Sequence, residues 1–117
     1  MECAITSSSG EWMATIDSRE GDEAFRGEVY LKIWRWNTQT GFWILNTRID
    51  RPHGLEGVTS VAFSPEVKDR LALNLATTGD DRAVKIWRLR TTTEKNGDVE
   101  GLLFLLIFSF SLTKIRP

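Results

Sequence analysis

A single cysteine, Cys3, leaves no internal disulfide and no multi-cysteine zinc site. His53 is the sole histidine, and one His with one Cys cannot close a four-ligand metal site. Neither sign of charge dominates: 15 Lys and Arg stand against 16 Asp and Glu, interspersed along the chain. A free-standing nucleic-acid binder held by phosphate contacts would be basic, so that class is disfavoured. Residues 1–10 carry no apolar signal-peptide core. With so little cysteine, a reducing intracellular compartment is the simple reading. No apolar run reaches the roughly 18 residues that span a membrane. There is no G-x-S-x-G nucleophile elbow and no phosphate-cradling glycine loop. Cofactors, a small-molecule substrate and a membrane partner are therefore not expected.

What is present is a β pattern. Hydrophobic residues make up 41% and charged residues 26% of 117 residues, enough apolar content for one small core and too much for disorder. The stretch Leu73 to Leu89 reads L-N-L-A-T-T-G-D-D-R-A-V-K-I-W-R-L. Two β-prone runs flank Gly79-Asp80-Asp81-Arg82. Gly and Asp tolerate left-handed backbone angles and bond their own backbone, so a hairpin is predicted. Val84 and Ile86 fall on one face, Lys85 and Trp87 on the other. Val58 to Ser64 is a preceding strand stopped by Pro65.

Earlier, Cys3-Ala4-Ile5 reads as the end of a strand and Trp12 to Ile16 as the whole of the next. Asp17 to Gly27 reads as a solvated acidic loop. Glu28 to Trp36 alternates, with Val29, Leu31 and Ile33 opposite Tyr30, Lys32, Trp34 and Trp36. A turn at Asn37 to Gly41 leads into a strand from Phe42 to Ile49. Leu31 to Trp36 repeats as Val84 to Leu89, 53 residues on. Thr15 and Thr77 match, but Thr15 precedes its Trp by 19 residues and Thr77 by 10. Setting aside those nine residues as a loop insertion brings the period to 44.

The order His53, V-x-x-V-x-F-S-P, L-A-T-T-G-D-D, V-K-I-W resembles a WD repeat, the four-stranded blade of a β-propeller, whose period is about 40–45 residues. Two features depart from that pattern. Trp87 is followed by Arg88 rather than Asp, and the opening Gly-His stands as His53-Gly54. The resemblance implies that His53, Thr77, Asp81 and Trp87 form a structural hydrogen-bonded chain. The expected fold is all-β, made of antiparallel blades that do not close a ring. Residues 1–50 form a partial blade with its insertion at 17–27. Residues 51–90 form the first three strands of a second blade, and 91–117 a polar connector and an off-pattern apolar tail.

That tail, Gly101 to Phe110, has neither charge nor alternation. Three readings stay open: a fourth strand buried on both faces, foreign sequence such as intron read-through, or an anchor, for which it is short. Two partial blades imply a piece of a longer WD-repeat protein.

His53 with Asp81 and Ser60 or Ser64 superficially suggests an acyl-transfer triad. Without an elbow, the structural role is preferred and no enzyme is expected. Trp34 and Trp87 are read as core, while Trp36 and Trp43 flank a turn and suit a partner surface. The insertion supplies a candidate partner-contact loop: Asp17, Arg19, Glu20, Asp22, Glu23 and Arg26. Its bland alternative is a solvated loop, since loop length costs little in closure entropy.

A narrower resemblance rests on Ser9 to Asp17, Leu31 to Trp36, Gly41 to His53 and Val58 to Pro65. These are similar to a WD-repeat subunit of the small-subunit processome, in the transcription-linked UTP subcomplex. The resemblance implies a non-catalytic scaffold in pre-ribosomal RNA transcription and early processing in the nucleolus. Its partners would be other protein subunits of a large complex, and contact with pre-ribosomal RNA is implied by the resemblance alone. The competing class is a generic WD-repeat adaptor, such as a ubiquitin-ligase receptor or signalling scaffold.

Overall fold

The computed structural model describes residues 3–19, 21, 27–66, 73–93 and 99–111. They form eight strands: β1 (Cys3–Thr6), β2 (Trp12–Arg19), β3 (Glu28–Asn37), β4 (Phe42–Asp50), β5 (Val58–Phe63), β6 (Asn74–Gly79), β7 (Ala83–Thr93) and β8 (Val99–Ser111). They build two four-stranded antiparallel sheets in the sequential orders β1-β2-β3-β4 and β5-β6-β7-β8. The fold is all-β, with two propeller-type sheets and no closed ring. Among the described residues no helix is long and apolar enough to cross a membrane.

The sheets pack face to face through the alternation visible in the chain. Trp12, Ala14, Ile16, Leu31 and Ile33 of the first sheet meet Leu73 and Leu75, Trp87, Leu89 and Phe104 of the second. All are buried, and each large side chain so placed contributes about 1.5–3 kcal/mol. Trp12 and Phe104 meet edge to face at 5.4 Å, joining the outermost strand of one sheet to the core of the other. The Phe104 backbone N–H donates to Thr47 Oγ1 on β4 at 3.2 Å. Glu66, just after β5, accepts from the Ser9 backbone N–H at 3.0 Å and hydroxyl at 2.8 Å. The Ser7 and Ser9 groups outweigh the effect of burial and hold its carboxyl below the ordinary value.

Three expectations are corrected. The second sheet takes its fourth strand from the apolar tail, one of the three readings left open. Gly101 to Phe110 lies in β8, which pairs with β7 from Ala83↔Ser111 to Thr93↔Val99. It is not buried on both faces: Phe108 is 53% and Leu105 50% exposed, although Phe104 is buried. The expected connector begins later, because β7 runs through Thr93. Finally, the acidic insertion does not start at Asp17. Asp17, Ser18 and Arg19 pair with Tyr30, Val29 and Glu28, and belong to β2.

Candidate functional site

The turn Arg51–Gly54 positions His53 ahead of β5. Arg51 and Gly54 both adopt positive φ, 50° and 64°. Gly54 N–H donates to Arg51 O at 3.0 Å. Pro52 and His53 inside this turn are buried, and Lys85 Nζ donates to the Pro52 carbonyl. The β6–β7 hairpin supplies the other groups. Arg82 N–H donates to Gly79 O at 3.0 Å, and Arg82 takes the left-handed conformation, φ 63°. This three-residue loop closes as a turn followed by a left-handed residue.

These two turns bring together all four residues expected in the chain. Trp87 Nε1 donates to Thr77 Oγ1 at 3.0 Å. Thr77 Oγ1 lies 2.8 Å from His53 Nε2. His53 Nδ1 lies 2.9 Å from Asp81 Oδ1. Indole is a donor only and a hydroxyl has one proton, so one direction satisfies every atom. Trp87 donates to Thr77, Thr77 donates to His53 Nε2, and His53 Nδ1–H donates to Asp81. The Nδ1–H tautomer is assigned on that pattern. Asp81 Oδ1 also accepts from Ala83 N–H at 3.0 Å. Burial pushes the Asp81 carboxyl upward, but the Ala83 N–H, the His53 hydrogen bond and the nearby Lys85 charge outweigh it and hold the carboxyl below its ordinary value.

The same hydrogen bond appears once more in the first sheet. Trp34 Nε1 donates to Thr15 Oγ1 at 3.0 Å. There Lys32 at the position of Lys85 pairs with Asp17 Oδ2 at 3.1 Å.

Two residues of the site escaped the sequence reading. Gly79 ends β6 directly beneath the imidazole: a Cβ there would lie 2.5 Å from His53 Cγ. Lys85 reads only as the polar half of an alternating strand, yet it anchors the turn that carries His53. The serines considered for a triad are engaged elsewhere. Ser60 Oγ bonds Thr78 Oγ1 at 2.7 Å, and Ser64 Oγ accepts from Asn74 N–H at 2.9 Å.

Of the candidate contact loop, Asp17 and Arg19 lie in β2, while Glu20, Asp22, Glu23 and Arg26 lie outside the described residues. Trp36 and Trp43 meet edge to face at 5.3 Å at the end of the β3–β4 hairpin. Trp36 is exposed, Trp34 half-buried and Trp87 buried. Beside this pair lies an open cleft lined by Glu11, Arg35, Trp36, Gln39, Leu45 and Asn46, among others.

Comparison with known proteins locates this arrangement. The family described as the second β-propeller of WD repeat-containing protein 75 matches residues 1–103. WD repeat-containing protein 75 of Xenopus laevis is 36% identical over 88 residues, 74% of this chain and 10% of that protein. The Homo sapiens protein of the same name is 34% identical over 80 residues, 68% of this chain and 9% of its own length. U3 small nucleolar RNA-associated protein 17 of Schizosaccharomyces pombe is 37% identical over 93 residues, 74% of this chain and 11% of its own. The chain thus spans about a tenth of the length of these curated relatives.

Proposed function

Since the chain belongs to the family of the second β-propeller of WD repeat-containing protein 75, we propose that it serves a non-catalytic scaffold in ribosome biogenesis. The setting is the nucleolar small-subunit processome, during pre-ribosomal RNA transcription and early processing. The observation that carries this reading is 37% identity to a protein named for association with U3 small nucleolar RNA.

The chemistry of the site supports a scaffold. A general base needs an open position beside the proton it abstracts. Both ring nitrogens of His53 are occupied, by Asp81 and by Thr77, and its side chain has no exposed surface. Its role in this reading is to tie the turn before β5 to the β6–β7 hairpin. The partners are other protein subunits of a large complex, and contact with pre-ribosomal RNA rests on kinship alone. The charged residues that follow β2, Glu20, Asp22, Glu23 and Arg26, are the proposed protein-contacting element.

Depletion of the protein in its own cells, followed by pulse labelling of pre-ribosomal RNA, tests this function. Reduced precursor synthesis or a block in early small-subunit cleavage is expected. Unchanged synthesis with unchanged cleavage would contradict it and favour a generic adaptor.

A further inference from the structure

The two sheets are latched to one another at the turn between β1 and β2. Residues 7–10 make this turn, with Gly10 at φ 79°. Glu66 reaches it from the second sheet. Its Oε1 accepts from the Ser9 N–H at 3.0 Å and from the Ser9 hydroxyl at 2.8 Å. The Glu66 N–H donates to Ser8 Oγ at 3.3 Å. Ser9 Oγ also accepts from the Glu11 N–H at 3.1 Å. Beneath them the buried Ser7 closes the base of the turn, its Oγ accepting from the Trp12 N–H at 3.2 Å.

Three properties single out Ser9. Its side chain is exposed, whereas Ser7 is buried. It lies outside the strands, so offering it to an enzyme breaks no ladder of backbone hydrogen bonds. Its hydroxyl gives the proton that Glu66 binds, whereas Ser8 accepts from Glu66 rather than donating to it. The exposed Glu11 follows two residues on. An acidic residue shortly after a serine is the charge pattern that a kinase with a basic substrate groove selects.

We propose that Ser9 is a phosphorylation site, and that its phosphate opens the latch between the two sheets. A serine kinase supplies the γ-phosphoryl group of ATP. A P–O bond forms at Ser9 Oγ, the bond from the γ-phosphorus to the bridging oxygen breaks, ADP leaves, and the hydroxyl proton passes to the kinase's base. The phosphoserine carries a charge of about −1.5 to −2 at neutral pH. Glu66 thereby loses a donor and meets a like charge where that donor stood. Its own carboxyl is held below the ordinary value by the serine groups, so it is ionised at neutral pH and the two anions repel. The turn then parts from the segment after β5, while Trp12 and the apolar core beneath remain packed. The inference is independent of the proposed cellular role, since it concerns one contact within this chain.

Incubation of the full 117-residue chain with an acidophilic serine kinase and magnesium ATP, then mass spectrometry of its peptides, tests the site. Phosphate is expected on Ser9 and is lost from that peptide in Ser9→Ala. Amide exchange followed by NMR tests the consequence. The Ser9 N–H, sheltered by Glu66, should exchange severalfold faster after phosphorylation, while the amides of β2 and β6 keep their protection. Glu66→Gln removes the repelling charge, so in that variant the phosphate should accelerate Ser9 exchange much less. No phosphate, or phosphate on Ser8 and not on Ser9, would overturn the site. Unchanged Ser9 exchange after phosphorylation would overturn the latch, as would an equal acceleration in Glu66→Gln.

Discussion

His53 and Gly79 are in contact across 26 positions of sequence, with room between them for a hydrogen atom and not for a methyl group. Any side chain at 79 must displace the imidazole, and with it both hydrogen bonds of His53. Gly79→Ala is expected to destabilise the chain by about 1–3 kcal/mol, the usual cost of overpacking. The denaturant midpoint measures this, with a loss of the histidine signal of the wild type in NMR spectra as a second reading.

Thr77 and Thr15 accept the same indole bond in different surroundings. Thr77→Val leaves Trp87 Nε1 and His53 Nε2 without partners in a buried site, at an expected cost of about 1–3 kcal/mol. Thr15→Val leaves only the indole of the half-buried Trp34, which water can reach, so its cost is expected to be smaller. Paired denaturation curves decide; equal losses would contradict the difference in surroundings.

Asp81 is held below its ordinary carboxyl value. The folded state then binds the proton less readily than the unfolded state, so protonation favours unfolding. The stability from this group is fully present above the ordinary aspartate range near ~3.9 and is lost as pH falls through the lower folded value. Glu66, also lowered, acts with the same sign. Asp81→Asn should be less stable than wild type at neutral pH, with the gap narrowing below about pH 4. A gap independent of pH would show that charge at Asp81 plays no part.

Phe104 is the residue through which β8 enters the core, edge to face with Trp12. Phe104→Ala should cost about 3–5 kcal/mol. Phe108→Ala, on the same strand but exposed, should fall within about 0.5 kcal/mol of wild type. Thermal or chemical unfolding distinguishes the two.

The hairpin from Asn74 to Leu89 was legible because its turn residues and its alternation agree. So was the first sheet's Glu28 to Trp36, where burial alternates with period two from Tyr30 to Trp34. The four-residue polar chain was legible only through the repeat, since His53 lies 24 positions from Thr77 and no local pattern joins them. Strand β8 was not legible. From Gly101 to Phe108 no position is polar, so no face is marked, and its register comes from pairing with β7 and from the seat of Phe104. The extension of β2 through Arg19 was hidden by its polar composition. Asp17 is held there by Lys32 across the sheet, a partner that becomes visible only with the register. Gly79 looked like a turn glycine, and the reason for it sits in another turn altogether.

The functional reading rests on a propeller family whose Schizosaccharomyces pombe relative is named for U3 small nucleolar RNA. The most direct measurement is therefore of that RNA. The tagged protein would be purified from cells that express it, and U3 small nucleolar RNA quantified against an equally abundant spliceosomal small RNA. Selective enrichment of U3 RNA is expected, together with subunits of the small-subunit processome. Equal recovery of both RNAs, at the level of an untagged control, would contradict a place in the processome.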